Sequence, residues 1–268
     1  ARSREFVRNP NLFVDYVRHH QQSLRVRPVL WNTITLMREA DRPAYRNVMT
    51  GLCGDGSLRN HIQFLLIDFL GELTEPTDDE SRWLLRFLNS ANTTRRALRS
   101  VTGNIAWFDR LATSHFPKVM CDSTMNWHMV DVLNAAWKTR RKQCLQLIED
   151  HWLADANQDR WTVYSVEKLD IWDRASIAIL VTIARRSPDL RKSIQRLASM
   201  MVVNYTNFAV DLIVELLRMW ASSRATSSCF PGQSARDDGW YNTEEIATAA
   251  PGRFLRGVWP FLAKAVTA

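Results

Sequence analysis

Residues 57–88 read SLRNHIQFLLIDFLGELTEPTDDESRWLLRFL, and this stretch decides the fold. From Ser57 to Leu73 the residues Ile62, Phe64, Leu65, Leu66, Ile67, Phe69, Leu70 and Leu73 are apolar on nearly all sides of a helix, so the segment predicts a helix buried between neighbours. Glu72 to Pro76 ends it. Thr77-Asp78-Asp79-Glu80 then predicts a capping box, in which the Thr77 hydroxyl accepts from the Glu80 amide and the Glu80 carboxylate reaches back to the amide of Thr77. The next apolar residues, Trp83, Leu84, Phe87 and Leu88, fall at i, i+1, i+4 and i+5, which is one stripe along a second helix. Two helices joined this closely form a hairpin.

The same grammar returns further along. Ile171 to Ala184 predicts a helix closed by Arg185-Arg186, and Ser187-Pro188-Asp189 supplies an N-cap, a first-turn proline and an acid at the positive end of the next helix. That helix carries Leu190, Ile194, Leu197 and Met201, and Thr206 or Asn207 caps a third whose apolar face holds Phe208, Leu212, Ile213, Leu216, Leu217 and Trp220. Residues 221–239 are rich in Ser, Ala, Gly and Arg and predict a loop or linker. Beyond them, two short helices are expected, bounded by Pro251 and Pro260. The domain plan is therefore a helical-repeat region over 1–220, a linker over 221–239 and a C-terminal cap, or the start of a further repeat, over 240–268.

A shift of 45 residues brings Arg95-Arg96, Arg140-Arg141 and Arg185-Arg186 into register, lays Trp107 on Trp152 and Trp127 on Trp172, and lays Leu88 on Leu133. Helix pairs repeating every ~40–47 residues characterise HEAT and armadillo proteins, where each pair buries its apolar face only by stacking on the next. The expected fold class is thus all-α, a HEAT/armadillo-like solenoid of antiparallel helix pairs. The tryptophans at equivalent positions are expected in the core between repeats. The basic residues Arg95, Arg96, Arg99, Arg140, Arg141, Lys142, Arg185, Arg186 and Arg191 recur once per repeat and form a candidate partner-binding edge; the competing reading is that they are solvated helix ends that complement the dipole.

Composition narrows the function classes. The chain holds 268 residues, of which 46% are apolar, enough for a substantial core, and only 9 Gly and 9 Pro, few for a protein of many tight turns. Its formal charge of +7 is almost entirely an arginine excess, which permits nucleic-acid or acidic partners without specifying one. The longest uncharged stretch, Leu197 to Val210, is broken by Ser199, Asn204, Thr206 and Asn207 and falls short of the ~20 apolar residues of a membrane span. Cys53, Cys121, Cys144 and Cys229 show no C-x-x-C spacing and are expected as reduced thiols, which points to the cytoplasm. The start at Ala1 without Met, ahead of no apolar leader core, favours a piece cut from a longer protein.

Signatures of catalysis are sparse. Gly51 to Gly56 has glycines but no following Gly-Lys-Ser/Thr, so it is expected as a helix-to-helix connector rather than a phosphate loop. His19, His20, His61, His115, His128 and His151 include no H-x-x-x-H pair, and no metal or other cofactor is expected. There is no G-x-S-x-G elbow, and no histidine that the sequence places beside Cys144. Glu75, Asp78, Asp79 and Glu80 are expected as helix-capping charge. The N-x-T triplets at Asn92 and Asn204 are taken as coincidence.

A resemblance rests on Leu24-Arg25-Val26-Arg27-Pro28-Val29-Leu30, on Met37 to Arg42, on Arg59-Asn60-His61-Ile62 through Phe69-Leu70-Gly71, and on Glu75 to Glu80. Over roughly residues 10–120 these resemble the helical-repeat region that follows the nucleotide-binding core in large bacterial signal-transduction P-loop ATPases of the STAND, or NACHT-like, type. The resemblance implies a repeat region that senses a ligand or a foreign protein, with any nucleotide chemistry outside this chain. The expected function is therefore a non-catalytic sensor or scaffold that binds a protein or another macromolecule. The alternative is a nucleic-acid-acting protein similar to the HEAT-like alkylpurine DNA glycosylases, with Trp172, Asp173 and Arg174 as its trio, all three expected inside one helix turn.

Overall fold

The computed structural model describes residues 2–168, 172–224 and 247–266, and among them every regular element is helical. The helices are α1 (Arg2–Arg8), α2 (Pro10–His19), α3 (Val26–Ala40), α4 (Arg42–Gly54), α5 (Asn60–Gly71), α6 (Asp78–Leu88), α7 (Thr94–Val101), α8 (Ile105–Leu111), α9 (Phe116–Met120) and α10 (Asn126–Leu147). They continue with α11 (Asp159–Lys168), α12 (Arg174–Arg186), α13 (Arg191–Met201), α14 (Thr206–Arg224) and α15 (Pro251–Val266). No described helix is long and apolar enough to cross a membrane. The chain divides into two compact units, Ala1–Arg141 and Lys142–Ala268. Helix α10 loses helical geometry at Arg140 (φ −128°, ψ 32°), beside the boundary.

In the first unit, α1, α3, α5 and α7 touch in succession, and so do α2, α4 and α6, while consecutive helices such as α3 and α4 or α5 and α6 also pack together. Helices α1 to α7 thus sort into two layers, α1, α3, α5 and α7 in one and α2, α4 and α6 in the other. The all-round apolar sequence of α5 follows from this, because α3, α6 and α7 enclose it. Ile62, Leu66, Ile67 and Leu70 are fully buried there. Its last residue, Gly71, lies so close to α7 that a Cβ would stand 2.6 Å from the Ser100 Cβ and carbonyl oxygen. The Trp107 indole N–H donates to the Leu70 carbonyl at 2.7 Å, tying α8 to the same helix end.

The capping box forms as its sequence implies: Thr77 Oγ1 accepts from the Glu80 amide and Glu80 Oε2 accepts from the Thr77 amide at 2.7 Å. Other local expectations are corrected. The Gly51–Gly56 stretch is not a connector throughout, because Gly51 lies inside α4 and Gly54 ends it; the turn is made by Asp55, which accepts from the Ser57 amide and hydroxyl and from Arg18.

The 45-residue register is not a register of helices. Helices α3, α5 and α7 begin at Val26, Asn60 and Thr94, 34 residues apart each time. Arg95-Arg96 opens α7, Arg140-Arg141 lies at the break in α10, and Arg185-Arg186 closes α12. Equal letters at equal spacing therefore occupy a helix start, a helix interior and a helix end. The tryptophans divide likewise. Trp107 and Trp152 are fully buried, in α8 and in a π-helical turn over Ile148–Leu153, whereas Trp127 in the first turn of α10 is 53% exposed.

In the second unit, α12, α14 and α15 touch in succession, and α11, α12, α13 and α14 pack as consecutive neighbours. Helix α12 starts at Arg174, not Ile171, because Asp173 caps it by accepting from the amides of Ala175 and Ser176. Ser187 precedes a 3₁₀ turn but makes no side-chain cap; its hydroxyl donates to Asp159 instead. Thr206 donates to the Val202 carbonyl at 2.7 Å rather than capping α14. Toward the C-terminus, one helix runs from Pro251 to Val266 with Pro260 inside it, short of the one backbone donor that proline lacks. The expected linker lies outside the described residues from position 225 onward.

Candidate functional site

The charged residues singled out in the sequence are mostly occupied within the fold. Arg96 forks onto Asp68, with its Nε 2.8 Å from Oδ1, and rests against the Phe64 ring. Arg140 forks onto Asp109 at 2.7 Å through both Nε and Nη2. Arg186 holds Asp159, a carboxylate 2% exposed, and Arg191 donates to the Ala184 carbonyl at 2.7 Å. Arg141 lies over the Trp137 ring. Arg95 and Arg99, one turn apart on α7, are exposed, as are Lys142 and Arg185. Arg95, Arg96, Arg99, Arg140 and Arg141 belong to the first unit, and Lys142, Arg185, Arg186 and Arg191 to the second.

The acidic cluster at the start of α6 is matched by cations in the same manner. Glu80 is fully buried and accepts from Arg38 Nε at 2.7 Å, from the Tyr45 hydroxyl at 2.8 Å and from the Thr77 amide. Burial pushes its carboxyl toward protonation, but the Arg38, Thr77 and Tyr45 hydrogen bonds with the Arg38 charge outweigh it and hold the pKa below the ordinary value. Burial and the neighbouring Glu80 push the Tyr45 phenol up. Asp79 sits between Arg46 and Arg82, and Asp78 accepts from Arg110 at 2.9 Å. These acids cap and cross-tie α6. Beside them a groove of about 520 Å³ opens between α4 and α6, lined by Arg42, Tyr45, Arg46, Asn47, Asp79 and Trp83.

A larger groove, about 570 Å³, runs over α12, α14 and α15 of the second unit. On α12 its wall is Arg174, Ala178, Val181 and Arg185, spaced by four, three and four residues, which is one helix face. Val214 forms part of the floor, and α15 comes so near it that a Cβ on Gly257 would stand 2.6 Å from a Val214 methyl. Asp211 is clamped by Arg253, Nε to Oδ1 at 2.8 Å and Nη2 to Oδ2 at 2.6 Å, and Glu215 is paired with Arg218. The two groove acids therefore already have cations. Arg174 and Arg185 make no ion pair with any described residue, and both are exposed. The groove thus combines exposed cations at its rim with Ala178, Val181 and Val214 between them.

Comparison with protein-family models, with curated proteins and with solved structures finds no match. The reading of the site rests on its residues.

Those residues offer recognition groups and little that reacts. Burial pushes the Cys144 thiol up to about 12 and raises Cys53 as well, so neither presents a thiolate near neutral pH. Among the described residues, no three His, Cys, Asp or Glu side chains come together in a manner that would hold a metal ion. The trio Trp172, Asp173 and Arg174 is divided: Trp172 packs on Tyr205 and Phe208, Asp173 caps α12, and only Arg174 faces the groove. They do not share one helix turn, because α12 begins after the first two. No sequence signal points to the Arg38–Tyr45–Glu80 network or to the Arg253–Asp211 clamp. Their partners lie 35 to 42 residues apart, and no local pattern links them.

Proposed function

We propose that this chain is a non-catalytic α-helical-repeat module, a solenoid of stacked helix pairs, that binds a protein ligand through the open grooves of its helix layers. The observation that carries the proposal is the neighbour pattern of α1 to α6, where α1–α2, α3–α4 and α5–α6 pack as pairs and successive pairs pack through α1, α3 and α5 and through α2, α4 and α6, as stacked pairs do. Its 34-residue spacing is the length of a tetratricopeptide-type pair, below the ~40–47 residues of HEAT units. On the resemblance of residues 10–120, the module is the sensing region of a bacterial STAND-type protein working in the cytoplasm. A phosphate-binding loop encoded upstream of Ala1 would agree with that origin; a gene without one would remove it.

The test is photocrosslinking from a benzoylphenylalanine placed at Asn47 or Ala178, in the two grooves, and at exposed Asn92 as a control. Protein adducts at the groove positions, resistant to nuclease and absent at Asn92, are expected. Equal labelling at Asn92, or adducts that nuclease removes, overturns the reading.

One observation favours nucleic acid as a second reading. The first unit carries 20 Lys and Arg against 14 Asp and Glu, so six of the seven net positive charges reside there. Against this, Arg18, Arg38, Arg46, Arg82, Arg96, Arg110 and Arg140 are all paired with carboxylates. A DNA affinity that falls steeply with salt would favour the second reading, since each neutralised phosphate releases counterions; unchanged migration with DNA at low salt would sink it.

A further inference from the structure

We infer that the groove over α12, α14 and α15 takes an extended acidic peptide segment, two carboxylate side chains flanking an apolar centre, held by Arg174 and Arg185. This rests on the module reading above and names the chemistry of its ligand. Charge decides the sign. Four arginines rim the groove, but Arg253 and Arg218 are engaged by Asp211 and Glu215, which leaves Arg174 and Arg185 as the rim cations that no carboxylate among the described residues pairs with. Both guanidiniums suit bidentate capture of a carboxylate.

Spacing sets the length of the segment. Arg174 and Arg185 are eleven residues apart on one face of α12, about 16 Å along the axis at ~1.5 Å per residue. In an extended chain, side chains four residues apart share one face and stand about 14 Å apart at ~3.4 Å per residue, a span that the two long guanidinium side chains can bridge. Between the two cations, exposed Ala178 offers apolar surface to the central side chain of the segment, with the largely buried Val181 and Val214 beneath it and α15 packed close against Val214 at Gly257. Alternation along the strand then sends one set of side chains to this floor and the other to solvent.

The experiment uses the full chain and a fluorescein-labelled peptide with the core Glu-Thr-Val-Thr-Glu, whose two carboxylates and central Val share one face of an extended chain, followed by fluorescence anisotropy. A peptide with Lys at both ends and a 12-nucleotide oligo-dT serve as the other arms. The expected result is binding of the Glu peptide, weakened tenfold or more by R174E/R185E, together with a reversed preference in which that variant binds the Lys peptide. Ala178→Trp, an exposed position in the groove wall, should block both peptides without altering the melting temperature. Equal Glu-peptide affinity in parent and R174E/R185E overturns the inference, as does oligo-dT competing as well as the Glu peptide, or absence of binding by the parent at millimolar peptide. If any of these occurs while protein adducts still form at Ala178, the acidic-peptide assignment fails and the module reading stands; loss of those adducts as well removes both.

Discussion

Substituting Arg38 by Met would expose the cost of the buried carboxylate at Glu80. In the native fold that carboxylate is fully buried and takes hydrogen bonds from Arg38, from Tyr45 and from the Thr77 amide. Met fills much of the aliphatic volume of Arg but removes the only short ion pair, so Glu80 keeps two neutral donors and, as counter-charge, only the more distant and exposed Arg42 guanidinium at 4.0 Å. Breaking one side of a buried pair costs ~3–5 kcal/mol, and because the Arg38 side chain is 22% exposed and lets water approach, we expect the lower end, about 3 kcal/mol. The pair itself is worth less than its rupture. In the double variant R38M/E80Q no charge is left buried, and the amide oxygen still accepts from Thr77. The double variant should therefore recover ~1.5 kcal/mol relative to R38M, a non-additivity of the kind expected for residues in one network. Native-state hydrogen exchange of the amides in residues 78–88 reads this locally: ~3 kcal/mol corresponds to about a hundredfold loss of protection, at ~1.4 kcal/mol per tenfold. A loss below tenfold in R38M, or a double variant no better protected than R38M, would refute the assignment of Glu80 as a buried charge dependent on Arg38.

Three further outcomes follow from the same structure. Because folding holds the Glu80 pKa below its ordinary value, its contribution is present above the unfolded pKa of ~4.3 and is lost as pH falls through the folded value; E80Q should flatten the acid limb of stability against pH, and an unchanged limb would count against it. His115 is buried with Nε2 unpartnered, and burial with the nearby Lys118 lowers its pKa against the pull of the Leu88 backbone, so the unfolded chain takes the proton first: stability is full above ~6.5 and declines as pH drops below it, a decline in melting temperature that His115→Asn should reduce. Gly71→Ala forces a Cβ into the Ser100 backbone and should cost ~2 kcal/mol or more, whereas Gly51→Ala, inside α4 with nothing within 4 Å, should gain ~0.5–1 kcal/mol; thermal denaturation separates them by sign.

What was legible in the sequence was local. The Thr77–Glu80 box could be read because both partners sit within one helical turn, and the burial of α5 because an apolar residue on every side leaves a helix no solvent face. What was not legible is set by residues far apart. Glu80 reads as capping charge from its neighbours, and that is half of its role; the other half comes from Arg38 and Tyr45, 42 and 35 residues earlier, which α3 and α4 bring to it. Ser187 and Thr206 have the composition of caps, but their hydroxyls are turned to donate elsewhere: to the Asp159 carboxylate for Ser187, and to a carbonyl four residues back for Thr206.

The arginine doublets show the same division most sharply. Adjacent residues on a helix point about 100° apart, so a doublet cannot turn both side chains to one neighbour. In each of the three doublets one guanidinium reaches a carboxylate 27 to 31 residues earlier, Arg96 to Asp68, Arg140 to Asp109 and Arg186 to Asp159, while its companion points elsewhere: Arg95 and Arg185 to solvent, Arg141 over Trp137. The recurrence seen in the sequence thus covers different roles: a tie between helices in each doublet, beside an exposed companion at Arg95 and Arg185 and a ring-stacked one at Arg141. Counting arginines overstates the surface open to a partner. Of the nine basic residues first grouped as an edge, Arg96, Arg140, Arg186 and Arg191 are spent on the fold. Arg185 lines a groove together with Arg174, and neither pairs with a carboxylate among the described residues, which is why the proposed docking surface lies on α12 rather than along a line of doublets.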